Sequence, residues 1–274
     1  MSLTQLACKA ASDASKAILE VYASADFEVE MKGDNSPLTL ADRKGNDAIM
    51  LHLEKESIPV LSEEGRDIPY EERKAWSQLW IVDPLDGTKE FVKRNGEFTV
   101  NIALIENGIP VMGVVWVPVL EEVFVGHTDH GAIKVEAGKL ESILTESYSS
   151  EDAFFAAMRS LNPKELPSEQ PEVFTVVGSR SHMSDETLAY MKEKETEHGK
   201  VEIISKGSSL KLCMVAEGLA NEYPRFAPTM EWDTAAGQAV CMAAHCEVLR
   251  YPEMNPLTYN RQELLNPWFL VRRS

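Results

Sequence analysis

The apolar run Leu79-Trp80-Ile81-Val82 ends on Asp83-Pro84-Leu85-Asp86-Gly87-Thr88, and this junction constrains the fold more than any other stretch of the chain. A fold that buries the run must still accommodate two carboxylates, Asp83 and Asp86, at its end. Paired acidic side chains repel unless a hard cation compensates them, and Mg²⁺ takes carboxylate, carbonyl and water oxygens in an octahedron. The hexapeptide therefore reads as a divalent-metal site that faces a phosphate, with Gly87 and Thr88 offering backbone N–H groups and a hydroxyl to the anion. The bland alternative is a surface turn, since Asp-Pro and Asp-Gly are ordinary turn formers.

A rival chemistry uses similar residues. Phosphatases of the haloacid-dehalogenase type place two aspartates one residue apart after a strand and use the first as a nucleophile. Here Pro84 and Leu85 separate the carboxylates. Side chains alternate along a strand, so the extra residue is expected to change the side to which the second Asp points, which favours activated water over a phospho-aspartate. A calcium-sensor loop fails on spacing.

Other acidic positions extend the metal reading. Ile58-Pro59-Val60-Leu61 leads into Ser62-Glu63-Glu64-Gly65, again carboxylates at the end of an apolar run. Ligands of open α/β sheets gather at such strand ends. Glu63 is the candidate here, and Glu64 with the charged stretch to Lys74 reads as solvated loop. Downstream, Glu231-Trp232-Asp233-Thr234-Ala235-Ala236-Gly237 places Asp233 just before a helix-like segment, where an N-cap is the plain alternative. Thr39-Leu40-Ala41-Asp42 is a capping-box string, so Asp42 has the same double reading.

A second phosphate candidate follows. Gly207-Ser208-Ser209-Leu210-Lys211 begins a helix closing at Glu217-Gly218, with Ser208 and Lys211 three apart on one face. A lysine in a first helical turn opposes the helix dipole by a few tenths of a kcal/mol unless an anion sits there. A solvent-facing lysine is the alternative. The same Ser-x-x-Lys spacing occurs in penicillin-recognising enzymes, but their other motifs are missing.

The net charge of −17 argues against nucleic-acid polymers and a polybasic membrane anchor. It does not exclude an anionic substrate, because charges beyond about 8 Å are screened and near cations set the local field. Cys8, Cys213, Cys241 and Cys246 show no zinc-like spacing and read as reduced thiols. Leu3, Leu6, Ala10, Ala14, Ala17, Ile18 and Val21 recur at helical spacing instead of forming a signal peptide. No apolar run approaches the roughly 20 residues of a membrane helix. The expectation is a cytoplasmic protein, with loose association at the inner membrane left open.

Helical periodicity covers 3–23 and 39–56, and β-branched runs fall at 99–105, 109–118 and 121–126, with Gly108, Gly113 and Pro118 marking turns or bulges. From Val173 the pattern alternates strand and helix: strands 173–178, 201–205, 221–226 and 246–250, helices 184–196, 208–217 and 233–244. This predicts an α+β first part (1–140) and an α/β second part (173–274). Residues 141–172, rich in Ser, Glu and Pro, read as a linker or insertion with a helical island at Asp152 to Arg159.

Taken in order, Leu61 to Glu64, Trp80 to Thr88 and Glu231 to Gly237 resemble the lithium-sensitive, Mg²⁺-dependent phosphomonoesterases of the inositol monophosphatase superfamily. Lys93 to Ile105, Gly207 to Lys211, Val215 to Gly218 and Tyr223 to Phe226 resemble its bacterial 3′(2′),5′-bisphosphate nucleotidases. The resemblance implies a layered α/β/α/β/α sandwich and hydrolysis of the 3′-phosphate of 3′-phosphoadenosine 5′-phosphate, a small nucleotide of sulfonucleotide recycling. It further implies that Glu63, Asp83 and the Leu85 carbonyl bind one Mg²⁺, and Asp83, Asp86 and Asp233 a second. Thr88 with Asp42 would take the proton of the attacking water, Glu63 would share in catalysis, and Gly87 and Thr88 would meet the reacting phosphate. Ser208, Lys211 and Arg225 would hold the other phosphate, with His182 near the base. Inositol monophosphate or a sugar bisphosphate is the nearest alternative substrate, and a metal- or phosphate-binding regulator the alternative outside enzymes.

Overall fold

The computed structural model describes residues 1–23, 29–31, 37–178 and 184–273. The first part of the chain forms α1 (Leu3–Ala23), β1 (Val29–Met31), β2 (Pro37–Thr39), α2 (Leu40–Leu53), β3 (Val60–Ser62), α3 (Tyr70–Arg73), β4 (Gln78–Asp86), α4 (Thr88–Lys93), β5 (Thr99–Glu106), β6 (Ile109–Val117), β7 (Glu122–His127) and β8 (Gly131–Glu136). Then come α5 (Ala137–Leu144), α6 (Glu151–Arg159), β9 (Lys164–Leu166), β10 (Phe174–Val177), α7 (Asp185–His198), β11 (Val201–Ile204), α8 (Leu210–Glu217), β12 (Glu222–Arg225), α9 (Glu231–Ala243), β13 (Cys246–Arg250) and β14 (Phe269–Arg273).

Two larger sheets organise these elements. Strands β3 to β9 lie side by side in chain order, and the second sheet runs β11-β10-β12-β14-β13. The run at 79–82 is apolar throughout because both faces of β4 are covered, which removes the alternation a half-wet strand would need. Trp80 and Val82 join a core with α1, α2, α5 and α6, whereas Leu79 and Ile81 join a second core with α8, α9 and the inner face of the other sheet. Helix α7 covers the outside, where Tyr190 meets Phe226 and Leu270. The layers are helix, sheet, helix, sheet, helix, as the resemblance implied.

Residues 141–172 take part in this packing. Phe154, Phe155 and Met158 on α6 are fully buried in the α1 core, and β9 pairs with β8. The surface composition that suggested a linker belongs to the exposed side of α6 and its flanks. The second part of the chain likewise shares its core with the first, since α9 packs on the seven-stranded sheet.

Asn107 and Gly108 both have positive φ, at 49° and 79°, and make the tight turn between β5 and β6. Gly113 was expected at a turn or bulge but lies inside β6, opposite Gly126 of β7. The pair opens a shallow place in the sheet for α9. A Cβ added at Gly113 would stand 2.4 Å from the Ala236 carbonyl oxygen, and one at Gly126 2.5 Å from the Val240 Cα.

Gly113→Ala is expected to destabilise by about 1–3 kcal/mol through overpacking against a helix backbone that cannot yield. Gly138→Ala in α5, where an added Cβ meets nothing within 4 Å, serves as the contrast and should be neutral or stabilising. Denaturant midpoints of the two variants check this, and equal shifts would contradict the close approach.

Candidate active site

Strand β3 runs parallel to β4, with Ser62 opposite Val82, and the Glu63 N–H donates to the Val82 carbonyl at 3.1 Å. Glu63 thereby leaves its strand beside Asp83. Further along, Asp83 pairs with Asn101 but Asp86 pairs with Thr99, so β4 carries one extra residue as a bulge. Pro84, which has no N–H for the ladder, sits within it, and the Leu85 N–H donates to Asp83 Oδ1 at 3.0 Å. Leu85 itself packs into the α1 core.

The bulge reverses the expectation from simple alternation. Three steps along a regular strand would put Asp83 and Asp86 on opposite faces, but the extra residue restores them to one side. Asp233 arrives from α9, and ligand oxygens of Asp83, Asp86 and Asp233 all lie within 4.8 Å of one another. Asp233 is also not the N-cap that its sequence context suggested. It is the third residue of α9, and its Oδ2 accepts the Met230 N–H at 2.8 Å.

The electrostatics follow from this crowding. Burial pushes the Asp83 carboxyl well above the ordinary carboxylate range, and Glu63, Asp86, Asp233 and Asp42 each add to the effect. Asp42, on the first turn of α2, is itself buried. Asp86 is raised by burial, while the Lys211 charge and the adjacent Ser209 groups draw it down. Asp233 is pushed up to about 7, by burial first and Asp86 second, against the Met230 N–H and Arg225. An all-oxygen, carboxylate-rich donor set that resists ionisation alone fits a hard divalent cation.

The cationic candidates line a cavity together with two of these aspartates. A cavity of about 160 Å³ is lined by Asp86, Gly87, Ser208, Lys211, Arg225 and Asp233 among others. Lys211 Nζ donates to the Ser208 carbonyl at 2.9 Å, and Arg225 donates through one terminal nitrogen to the Pro228 carbonyl at 3.0 Å while its buried Nε has no partner. Ser208 was expected on the helix, but α8 starts at Leu210 and Ser208 precedes it with φ 42°. Gly87 caps α4 with φ 96°, and Thr88 is that helix's first residue. His182 lies outside the described residues. A larger cavity of about 850 Å³ between α2 and β3 touches none of the expected site residues.

Two residues escaped the sequence reading. Asn101 Nδ2 donates to Ser209 Oγ at 2.9 Å and reaches Asp86 Oδ2 at 3.4 Å, and Ser209 Oγ donates to the Asp233 carbonyl at 2.7 Å. Together they tie β5, α8 and α9 around the acidic group. Asn101 is the one polar residue between Val100 and Ile105 of β5, and that was the only available signal. Behind α9, the buried Glu231 carboxylate accepts the N–H groups of Asn260 and Arg261, and Asn266 Nδ2 donates to the Met230 carbonyl at 2.7 Å.

The inositol monophosphatase family matches residues 1–268. The chain belongs to that family. It is 44% identical over 269 residues to the 3′(2′),5′-bisphosphate nucleotidase CysQ of Escherichia coli O157:H7, covering 96% of this chain and 97% of the relative. The CysQ of Salmonella typhimurium is equally similar, at 44% with the same coverage. Among solved structures, CysQ from Bacteroides thetaiotaomicron superposes with a TM-score of 0.87 at 47% identity, covering 98% of this chain and 96% of that one. The suppressor protein suhB from Bartonella henselae shares the fold, with a TM-score of 0.71 at 21% identity. No helix among the described residues is long and apolar enough to cross a membrane, and all four cysteines are buried and free.

The raised Asp233 gives a stability prediction. A folded-state pKa of about 7 against 3.8 means that the metal-free fold binds this proton more tightly than the unfolded chain does. The associated stability is fully present below about pH 4 and lost as pH rises through 7. Asp233→Asn, which keeps an acceptor for Met230, should therefore melt higher than the parent in EDTA at pH 8, by roughly 5 °C, and nearly level with it at pH 4. A lower melting temperature for the variant at pH 8 would contradict the crowding described above.

Proposed function

We propose that the chain is a Mg²⁺-dependent 3′(2′),5′-bisphosphate nucleotidase, which hydrolyses the 3′-phosphate of 3′-phosphoadenosine 5′-phosphate to give AMP and inorganic phosphate. One observation carries the reading beyond family membership: a single cavity is lined both by carboxylates, Asp86 and Asp233, and by cations, Lys211 and Arg225. A substrate with one phosphate needs only a metal held by the carboxylates. A bisphosphate also uses the cations, and the named nucleotidase relatives at 44% identity support the same substrate class.

The roles divide accordingly. Glu63, Asp83 and the Leu85 carbonyl, together with Asp86 and Asp233, would hold the metal, which when bound supplies positive charge that acidifies water and stabilises the in-line transition state. Asp42 and Thr88 orient that water and take its proton as its oxygen forms the new bond to phosphorus. The bond from phosphorus to the 3′ oxygen breaks, and that oxygen takes a proton from solvent water and leaves as the hydroxyl of AMP. Gly87 and Thr88, at the start of α4, offer donors to the reacting phosphate, while Lys211 and Arg225 receive the one that does not react; the Ser208 hydroxyl lines the same cavity but donates to the Glu97 carbonyl. Positioning and charge suffice for such a transfer.

Two experiments test this. Asp83→Asn should fold and lose nearly all activity, and turnover above about a tenth of the parent with Mg²⁺ would remove Asp83 from the metal set. Lys211→Ala and Arg225→Ala should each weaken kcat/KM for the bisphosphate by about 1.5–3 kcal/mol, the scale of a lost charged hydrogen bond, with little change on a monophosphate. Equal losses on 3′-phosphoadenosine 5′-phosphate and inositol 1-phosphate would show that these residues serve folding or the reacting phosphate, and no loss on either would favour the inositol monophosphatase alternative.

A further inference from the structure

The loop that leads into α8 and Lys211 is fastened to the first half of the chain chiefly by Glu97, beside the bond from Asn101 to Ser209. Its carboxylate accepts the Gly207 N–H at 2.9 Å through one oxygen and Lys206 Nζ at 3.1 Å through the other. Its backbone carbonyl accepts the Ser208 hydroxyl at 2.5 Å. Three consecutive residues of the loop before α8 are thus fastened to one residue about 110 positions earlier. The anchor is firm, because neighbouring Phe98 is fully buried against Phe91 and Tyr22, with ring centroids 5.2 and 5.1 Å away.

The fastening decides what each loop residue can offer an anion. Ser208 has one hydroxyl proton and gives it to Glu97, and its backbone is held at φ 42°, a left-handed conformation that a serine does not adopt without support. The Gly207 N–H and the Lys206 ammonium are engaged by the carboxylate. Lys211 uses one of its three donors on the Ser208 carbonyl and keeps the others, so its position depends on Ser208 and hence on Glu97. The approach also leaves no spare room: a Cβ at Gly207 would stand 2.8 Å from the Glu97 carbonyl oxygen and 2.6 Å from Glu90 Cγ.

We infer that Glu97 is a positioning residue that sets the preference for bisphosphates, by fixing through Gly207 and Ser208 where Lys211 stands in the cavity relative to Asp86 and Asp233. This rests on the nucleotidase reading and adds to it a residue that touches neither metal nor substrate. A substrate bridging the cavity depends on that placement, whereas a monophosphate does not.

The test compares kcat/KM for 3′-phosphoadenosine 5′-phosphate with that for 3′-AMP, which lacks the remote phosphate. Glu97→Ala should lower the ratio by about tenfold or more, mainly through KM for the bisphosphate, since small misplacements cost this much. Glu97→Gln, which keeps an acceptor for Gly207, should restore the ratio to within about threefold of the parent. Gly207→Ala leaves Glu97 intact and only forces the two segments apart, so it should reproduce the loss and decides the matter if Glu97→Ala does not fold. Parallel falls on both substrates, or an unchanged ratio in Glu97→Ala and Gly207→Ala, would overturn the inference. A parent protein with no preference for the bisphosphate would overturn the nucleotidase reading itself, before any variant is compared.

Discussion

Mutual repulsion among carboxylates is the constraint on which the rest of this structure depends. Asp83 feels Glu63, Asp86, Asp233 and Asp42, groups delivered by β3, β4, α9 and α2, and burial strips away the water that would screen them. Left to themselves such groups would swing apart or stay protonated. The fold prevents the first by placing each at the end of an element whose other residues are committed to a core. Trp80, Val82 and Leu85 bind β4 to one core, Leu79 and Ile81 to the other. Protonation is left as the response when no cation compensates the charges, and so the site's affinity for a cation and its cost to stability are two views of one repulsion.

The geometry of that crowding depends on a single inserted residue. Without the bulge at Pro84 and Leu85, alternation would send Asp83 and Asp86 to opposite faces of the sheet, one toward α9 and one toward α1. The same spacing that seemed to argue by alternation against a paired arrangement is what the bulge converts into one. Proline suits it, since a missing N–H costs nothing where the ladder is already interrupted.

The helices and strands were largely legible in the sequence, because residues buried on one face leave a period that survives any tertiary context. Helices α1 and α9 and strands β5, β6 and β13 fall within a few residues of the expected bounds. The acidic positions were legible for another reason, their place at the ends of apolar runs. What could not be read were contacts between distant segments. Nothing near Glu97 announces that it fastens residues 206 to 208, Ser209 carries no pattern that separates it from a polar residue facing water, and the placing of Asn101 among apolar neighbours marks it as buried without naming its partners. Gly113 was misjudged because a glycine that opens space for a helix looks, in one dimension, like a glycine that turns the chain. The segment 141–172 shows the reverse error, its polar surface hiding three buried side chains on α6.

Strand β14, at 269–273, is an interior strand of the second sheet, between β12 and β13. The loop before it supplies Asn260, Arg261 and Asn266, which brace the start of α9 and so the Asp233 carboxylate. A nascent chain must therefore emerge from the ribosome through residue 273 before its second sheet can close and Asp233 can be held opposite Asp86. Until then the aspartates of β4, already translated, have no complete partner set. Assembly of the acidic centre in this way waits on β14, however much earlier the aspartates of β4 are translated.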